Sequence, residues 1–113
     1  MNGYINRFEV EFLSEAFEFI QKLDSKTREK VLENIRISRF QNNPKLLKKI
    51  DKNIWEFRTK YLSKQIRLLA FWDVNRNSFM ICTHGFIKKT QKLPRKELKR
   101  AKQIRREYIN KIK

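Results

Sequence analysis

Several features are scarce in this chain of 113 residues, and each absence argues against a class of protein. The one cysteine, Cys82, excludes an internal disulfide framework and fits a reducing cytosol. No run of about 18 apolar residues is present, so no membrane-spanning helix is expected. The segment from Met1 to Ile5 lacks the long apolar region of a signal peptide. We therefore expect a cytoplasmic protein that does not enter a membrane.

The sequence also lacks ligand sets for metals and loops for nucleotides. The single histidine, His84, and the single cysteine form no zinc-binding cluster. No acidic pair or triad is placed for two-metal catalysis, and the two glycines form no Gly-rich phosphate loop. We expect no metal and no cofactor, so a nuclease with this sequence would have to act without a metal.

Positive charge and aromatic residues are abundant. The chain has 28 Lys+Arg against 12 Asp+Glu, which gives a net charge of +16. This excess predicts binding to nucleic acid or to another acidic surface, such as an acidic protein. A hydrophobic content of 40%, with nine Phe and two Trp, argues against disorder. The length fits a single domain over residues 1–113 with one core.

An N-terminal strand and two helices are predicted from the hydrophobic periodicity. Residues 6–12 alternate between apolar and charged side chains, as in a half-buried strand. Ser14 is placed to cap the next helix, and the Asp24–Ser25 pair ends that helix and begins a second one, from about Lys26 to Phe40. Residues 45–53 then form a short basic connector. The apolar residues of the second helix expected to face inward are Val31, Leu32 and Ile35.

Three strands joined by tight turns follow. Residues 54–61 alternate, residues 66–73 are apolar on both faces, and residues 79–86 form the last strand. Apolar side chains on both faces predict that the middle run is a central strand, and the three runs together predict an antiparallel meander. Ser63–Lys64 and residues 74–77 are the expected turns. The side chains expected on one face of the last strand are Met80, Cys82, His84 and Phe86.

A final helix begins near Pro94, which suits a first helical turn. Its apolar stripe is narrow, and basic side chains occupy most of the remaining surface. The predicted fold class is therefore α+β. It comprises a small antiparallel sheet, an N-terminal helical hairpin and a C-terminal helix, in the order β-α-α-β-β-β-α.

Arg67 is the strongest candidate for a functional side chain. It interrupts the apolar central strand, on the face that carries Leu69 and Phe71. A charge at such a position needs a partner or a function, and a structural ion pair is the alternative interpretation. Arg58 lies on the polar face of the preceding strand, where a solvated charge is the simpler interpretation.

The segment from His84 to Lys92 carries an imidazole, a glycine and three lysines past the end of the last strand. Imidazole suits proton transfer, although a lone histidine in a strand is more often a hydrogen-bonded structural residue. Gly85 lets another backbone or a substrate approach closely. The lysines Lys88, Lys89 and Lys92 form either a solvated rim or a phosphate contact, and their position beside His84 favours the contact.

These cations suit a polyanion, and RNA cleavage is a reaction that they can support without a metal. The 2′-OH of RNA is a built-in nucleophile, so an enzyme has to align it, neutralise the transition state and move protons. Arginine and lysine can supply the neutralisation. Periodicity favours core packing over base stacking for most of the aromatic residues Trp55, Phe57, Phe71 and Trp72.

Three segments of the chain resemble the RelE/ParE toxin superfamily, and most closely its HigB-like, phage Gp49-like branch. They are IWEFR at residues 54–58, IRLLAF at residues 66–71 and HGFIKKTQKLP at residues 84–94. The resemblance covers nearly the whole chain. The residues that fit the final helix of the branch are Glu97, Arg100, Ala101 and Tyr108.

The resemblance implies the toxin of a type II toxin–antitoxin pair, with a helix-turn-helix antitoxin as its partner. Many members of the superfamily are ribosome-dependent endoribonucleases that cut mRNA without a metal, whereas the ParE branch shares the fold and poisons gyrase. By the family pattern, Arg67 stabilises the transition state and Arg58 belongs to the supporting basic cluster. Lys88 and Lys89 occupy positions that contact phosphate.

The chain departs from RelE itself, which carries a late tyrosine that assists proton transfer. Here Leu93–Pro94 follows the lysines, and Tyr108 lies in the apolar stripe of the terminal helix. The general base is therefore open, with His84 or a lysine as the candidates. The predicted catalytic residues are Arg67, His84, Lys88 and Lys89.

The basic C-terminal segment provides a second expected contact with RNA. Residues 88–113 contain twelve Lys and Arg against two Glu. Such a surface neutralises several phosphates at once, which predicts docking on a large folded RNA such as the ribosome. A gyrase inhibitor and a non-toxic nucleic-acid-binding module are the alternative functions, and the final helix could instead dock an acidic partner segment. The residues expected to bind nucleic acid are Arg58, Lys60, Lys92, Lys99, Lys102 and Arg106.

Overall fold

The computed structural model describes residues 7–92 and 94–111. Along the chain, the elements are β1 (Glu9–Phe12), α1 (Ser14–Lys22), α2 (Ser25–Phe40), β2 (Leu47–Lys49), β3 (Trp55–Tyr61), β4 (Lys64–Trp72), β5 (Phe79–Lys88) and α3 (Arg95–Lys111). The predicted α+β class is confirmed. Asn6 and Leu93, which belong to predicted segments, lie outside the described residues. Within the described ranges, no helix is both long and apolar enough to cross a bilayer.

The five strands form one sheet in the order β1-β5-β4-β3-β2, so β4 is the central strand, as predicted. The pairs β2–β3, β3–β4 and β4–β5 are antiparallel, which confirms the predicted meander. β1, however, pairs with β5 in parallel. The sheet is therefore mixed and not wholly antiparallel. A parallel pair requires a long crossover connection, and here the segment from α1 to β4 lies between the two strands.

β2 lies within the segment that the sequence predicts to be a basic connector. Its three residues include two exposed lysines and carry no strand pattern of their own. They become a strand because their backbone pairs with β3, from Leu47 opposite Phe57 to Lys49 opposite Trp55. Such pairing depends on contacts distant in sequence, which explains why the local pattern missed it.

The two N-terminal helices cover one face of the sheet and form the larger core. Asp24 caps α2 as predicted, because its carboxylate accepts a hydrogen bond of 3.1 Å from the Thr27 N–H. Ser14 does not cap α1, since Leu13 holds that position and makes no side-chain bond. Leu32, predicted to face inward, is exposed. The buried side of α2 runs through Val31, Asn34 and Ile35, and Leu32 lies outside it. The buried residues of α2 are Thr27, Val31, Asn34, Ile35 and Ser38.

The C-terminal helix packs against β4 and β5 on the opposite face of the sheet and forms a second, smaller core. The described residues therefore form two cores, one on each face of the sheet, and the prediction of a single core is wrong. The Pro94 carbonyl accepts the first hydrogen bonds of this helix, from Glu97 and Leu98. The predicted helix start near Pro94 is therefore confirmed. The buried residues of this second core are Ile54, Leu69, Phe71, Ile81, Phe86 and Ala101.

A β-bulge in β5 determines which way its side chains point. Leu69 pairs with His84 and Ala70 pairs with Cys82, so Thr83 is an extra residue without an opposite position in β4. One extra residue reverses the alternation of a strand. Cys82 therefore lies in the core under α1 and α2, whereas His84 lies on the α3 face. The predicted common face for Met80, Cys82, His84 and Phe86 is thus wrong.

Candidate functional site

Three cross-strand rows on the α3 face bring predicted site residues together. Directly paired residues of neighbouring strands point to the same face, and the strands are about 4.8 Å apart. Four predicted cations thereby share one end of this face: Arg58, Lys60, Arg67 and Lys88. The rows, given in the order β3, β4 and β5, are Lys60–Gln65–Lys88, Arg58–Arg67–Phe86 and Glu56–Leu69–His84.

Arg67 is buried, with a side-chain exposure of 4%. Its Nη2 donates to Gln65 Oε1 at 2.7 Å, and its Nη1 donates to the Ile66 carbonyl at 3.2 Å. Its Nε lies 3.5 Å from Glu56 Oε1 and makes no hydrogen bond. Burial lowers the pKa of Arg67; Glu56 opposes this effect and Arg58 adds to it. The guanidinium is nevertheless charged at any physiological pH, so the site holds a desolvated, incompletely hydrogen-bonded cation.

Glu56 is a buried carboxylate between two arginines, and its role in the site was not predicted from the sequence. Its Oε1 lies 3.3 Å from Arg58 Nε and 3.5 Å from Arg67 Nε. The ion pair with Glu56 confirms that Arg67 has a structural partner. Glu56 lies two residues before Arg58 on the same face of β3, and this spacing is the signal that could have revealed it.

A groove of about 470 Å³ opens beside this cluster. It lies where β3 becomes an edge, because β2 pairs only with the first three residues of β3. The lining includes five cations and no carboxylate, which makes the groove suitable for a phosphate backbone. The side chains that line it are Lys30, Asn34, Lys45, Leu46, Arg58, Lys60, Gln65 and Arg67.

The α2 residues of this groove were not predicted from the sequence. Lys30 and Asn34 reach it because α2 packs beside β3, and the Asn34 amide donates to Thr59 Oγ1 at 3.3 Å. Nothing in the local pattern of α2 separates these two residues from its other polar positions. Only the packing of the helix against the sheet assigns them to the groove.

His84 lies in the row of Glu56 and Leu69, two rows away from Lys60 and Lys88, and it is only 6% exposed. Its Nε2 lies 3.0 Å from Glu97 Oε1, and its Nδ1 lies 3.0 Å from Thr83 Oγ1. Both ring nitrogens therefore have partners, and the bond to Glu97 ties α3 to β5. This arrangement favours an anchoring role for His84, and its catalytic role stays a prediction.

Gly85 allows a close approach, but the neighbour is another part of the protein. A Cβ atom at this position would lie 2.2 Å from Cδ2 of Phe19 on α1. The glycine therefore permits α1 to pack closely on β5. The alternative of a substrate at this position has no support in the geometry.

The remaining predicted cations, which are the catalytic candidate Lys89 and four nucleic-acid ligands, are not part of the groove lining. Lys89 and Lys92 are exposed just after β5, and Lys99, Lys102 and Arg106 are exposed on α3. Lys102 Nζ lies 3.0 Å from Asp51 Oδ2. The predicted cations thus form three groups: one around Arg67, one in the segment just after β5 and one on α3.

Tyr108 anchors the other end of the α3 face. Its hydroxyl donates to Asp73 Oδ2 at 2.7 Å, six residues along the chain from Arg67. Burial opposes ionisation of Asp73, but hydrogen bonds from Tyr108, from Arg76 and from the Asn75 N–H lower its pKa to about 2. Tyr108 is therefore placed to fix α3, far along the sheet from the groove.

Cys82, Phe57 and Phe71 are buried, and Trp55 and Trp72 are partly buried against the larger core. Burial raises the pKa of the Cys82 thiol, which disfavours the reactive thiolate. The rings of Trp55 and Trp72 pack edge to face at 6.3 Å. Among residues 7–92 and 94–111, no group of three or more His, Cys, Asp or Glu side chains is placed to hold a metal ion.

The mixed sheet, the two helices on one face and the basic helix on the other define a RelE-like fold. The chain is similar to a chain of the toxin–antitoxin complex RelBE2 from Mycobacterium tuberculosis, with a TM-score of 0.56 and 15% identity, over 73% of this chain and 99% of that chain. A second likeness is to the intact E. coli RelBE toxin–antitoxin complex, with a TM-score of 0.47 and 18% identity, over 74% of this chain and 99% of that chain.

Sequence comparison places the chain within this fold more narrowly. The model of the family described as phage derived protein Gp49-like (DUF891) matches residues 18–106, and the chain belongs to this family. This membership confirms the resemblance that the three sequence segments predicted. The matched span contains Glu56, Arg58, Arg67, His84 and Lys88. A search of curated protein sequences gave no match.

Proposed function

We propose that this protein is the toxin of a type II toxin–antitoxin pair and that it cleaves mRNA on the ribosome, in the cytoplasm, without a metal. The observation that carries the proposal is Arg67, a buried and incompletely hydrogen-bonded cation on the central strand that lines a strongly cationic groove. The Gp49-like family and the RelE-like fold support the toxin class.

The geometry supports a mechanism that relies on charge neutralisation. With an RNA phosphate in the groove, Arg58 and Arg67 would donate hydrogen bonds to its nonbridging oxygens as negative charge develops there. Lys60 and Lys88, which flank Gln65, would hold the neighbouring backbone. Such preorganised donors act most strongly where water is excluded, and the burial of Arg67 meets that condition.

The proton of the attacking 2′-OH needs an acceptor. His84 would have to give up its bond to Glu97 or to Thr83 before it could accept a proton. A lysine of the groove would have to lose a proton to water before it could accept one, so the general base stays open between His84 and a lysine. Lys89, which is exposed just past β5, would add a phosphate contact in this mechanism.

The basic surface of α3 supports docking on ribosomal RNA. Each phosphate contact releases counterions, so several exposed lysines and arginines give strong, salt-dependent binding. The ribosome would also hold the mRNA in line, and such alignment is worth up to about 7–11 kcal/mol. This scaffold would compensate for the lack of an evident strong base.

We also propose an antitoxin of the helix-turn-helix class as the partner. The solved complexes to which the chain is similar are toxin–antitoxin complexes. A net charge of +16 favours an acidic segment in that partner. Co-expression with the product of an adjacent reading frame should relieve the toxicity.

Growth and RNA integrity test the proposal. Induction of the wild-type chain should arrest growth and cut mRNA, and Arg67→Ala should abolish both effects while leaving the circular dichroism spectrum unchanged. Arg36→Ala, which removes an exposed arginine from α2, is the matched control and should stay toxic. Purified protein should cut RNA on programmed ribosomes much faster than naked RNA, and equal rates would contradict ribosome dependence.

The alternative functions give different results in the same experiments. A gyrase inhibitor would arrest growth with intact mRNA, would induce DNA-damage signalling and would select resistance mutations in gyrase. A non-toxic binding module would bind RNA or DNA in a salt-dependent way without affecting growth. Either result would exclude the proposed nuclease.

A further inference from the structure

Glu56 is placed where a carboxylate is unfavourable for the proposed function. It is 3% exposed and lies next to two arginines that line the phosphate-binding groove. A buried anion is costly unless it is paired, and an anion near a bound phosphate weakens binding through Coulomb repulsion. The position of Glu56 therefore calls for a physical explanation.

The strand register supplies that explanation. Arg58 and Arg67 are directly opposite each other on β3 and β4, and like charges in that arrangement repel. Glu56 lies one row further along the same face and presents a single oxygen, Oε1, to both arginines, at 3.3 Å and 3.5 Å. One carboxylate thereby holds two like charges side by side.

The contacts show which nitrogens of the two guanidinium groups are already engaged. In each arginine the nitrogen closest to Glu56 is Nε, and Arg58 Nη1 donates to the Pro44 carbonyl at 3.3 Å. Arg67 uses one N–H of each Nη atom, to Ile66 and to Gln65, and a guanidinium has four Nη protons. Two Nη protons of Arg67 thus stay available for an anion.

We infer that Glu56 is a positioning residue, which holds Arg58 and Arg67 side by side so that their Nη atoms reach the same RNA phosphate. The inference rests on the proposed function and extends it to a residue that does not itself touch the substrate. Two arginines and one carboxylate leave one positive charge, which the single negative charge of a phosphodiester neutralises. Without Glu56, Arg58 and Arg67 would still attract anions through their charge, but their N–H groups would not be aligned on one phosphate.

Glu56→Gln separates positioning from simple electrostatics. The substitution keeps the side-chain shape and removes a negative charge beside the groove, so electrostatics alone predicts RNA binding that is equal or tighter. Positioning predicts that cleavage on programmed ribosomes falls by 10- to 100-fold, on the order of the loss from a misplacement of about 1 Å. Binding is measured with a noncleavable RNA that carries a 2′-deoxy nucleotide at the cleavage position.

Glu18→Gln is the charge-matched control. Glu18 is exposed on α1, which packs on the opposite face of the sheet. Cleavage that falls for Glu56→Gln and not for Glu18→Gln, without a loss of RNA affinity, supports the inference. Equal cleavage by the two variants overturns it, and so does a loss of affinity that accounts for the whole loss of cleavage.

A second variant covers the case in which Glu56→Gln does not fold. Glu56→Asp keeps the negative charge, so it should preserve the buried ion pairs and the fold better than Glu56→Gln does. It withdraws the carboxylate by one methylene, so it should also lower cleavage. Full activity of this variant would overturn the inference.

The Nε–H signals of the arginine side chains in ¹⁵N NMR spectra give a readout that does not require cleavage. The Arg67 Nε–H is buried and should exchange slowly with water in the wild-type protein. Inorganic phosphate should shift the Arg58 and Arg67 signals together, and this joint response should be lost in Glu56→Gln. An unchanged response would overturn the inference even if the wild-type protein cleaves no RNA, so its failure is distinguishable from failure of the proposed function.

Discussion

Single buried polar side chains connect the fold of this protein to its proposed chemistry. Arg67 and Glu56 lie in the interior at one end of the α3 face, and Asp73 is buried at the other end. Each is held by specific partners, because an unpaired buried charge is strongly unfavourable. The pair near the groove leaves donor capacity unused, whereas Asp73 accepts bonds from Tyr108, Arg76 and the Asn75 N–H. The unused donors of Arg67 suit a binding site, whereas the fully bonded Asp73 suits a structural anchor for α3.

Asp73 should make stability depend on pH in the acid range. Its pKa is lowered from 3.8 to about 2 in the folded protein, so the stability due to its ionised form is fully present above the unfolded value. That stability is lost as the pH falls from about 4 through about 2. Asp73→Asn should therefore be less stable than wild type at neutral pH, with a smaller decline in this window.

Urea unfolding at a series of pH values measures this difference. Tyr108→Phe removes one of the hydrogen bonds that lower the pKa of Asp73, so its pH profile should lie between those of wild type and Asp73→Asn. Parallel profiles for wild type and Asp73→Asn would show that Asp73 is not the group responsible.

At the scale of elements, the β3–β4 hairpin carries local strain near the groove. Its turn consists of Leu62 and Ser63, with φ of 49° and 66°, and not of Ser63–Lys64 as the sequence predicted. Two consecutive residues with positive φ form the turn type that favours Asn-Gly. A residue such as leucine in this conformation costs on the order of 1–3 kcal/mol.

The double substitution Leu62→Asn and Ser63→Gly should relieve that strain. We expect the free energy of unfolding to rise by about 1 kcal/mol, measured by urea denaturation. Val74→Asn is the control, because it replaces another exposed hydrophobic turn residue at a position without positive φ. If Val74→Asn raised the free energy of unfolding by the same amount, the gain would come from the removal of exposed hydrophobic surface and not from relief of backbone strain.

At the scale of the whole molecule, the positive charge is distributed over two regions with different proposed roles. The groove around Arg67 is small and partly buried, which suits one short stretch of backbone. The cations of α3 are exposed and suit a large folded RNA. The sheet separates the α3 cations from α1 and α2, whereas α2 contributes Lys30 and Asn34 to the groove.

Charge reversal on α3 should weaken ribosome binding more than it perturbs the fold. The triple substitution of Lys99, Lys102 and Arg106 to Glu should lower the affinity for ribosomes. It should also reduce the steepness of the plot of log association constant against log salt concentration by about 2, because each lost phosphate contact lowers that slope by about 0.7–0.9. The one ion pair lost, between Lys102 and Asp51, is partly exposed and contributes little to stability.

Sedimentation with ribosomes at several salt concentrations measures the affinity and the slope. The matched control reverses Lys22, Lys26 and Lys49, which lie on or face the side of the sheet that α1 and α2 cover. An equal effect of both triples would mean that net charge, and not the α3 surface, drives the docking.

The helices, the meander and the central position of β4 could be predicted from the sequence, because hydrophobic periodicity is a property of consecutive residues. The sequence also singled out Arg67, since a charge that interrupts an apolar strand is visible in it. The resemblance to the Gp49-like family rested on three short segments and was confirmed.

The features that could not be predicted from the sequence depend on contacts between residues that are distant along the chain. The bulge at Thr83 turned His84 toward the α3 face, and pairing with β3 made β2 a strand. Packing of α2 brought Lys30 and Asn34 to the groove. Burial of Glu56 between two arginines required three strand positions in register, and no local pattern of residues contains that information.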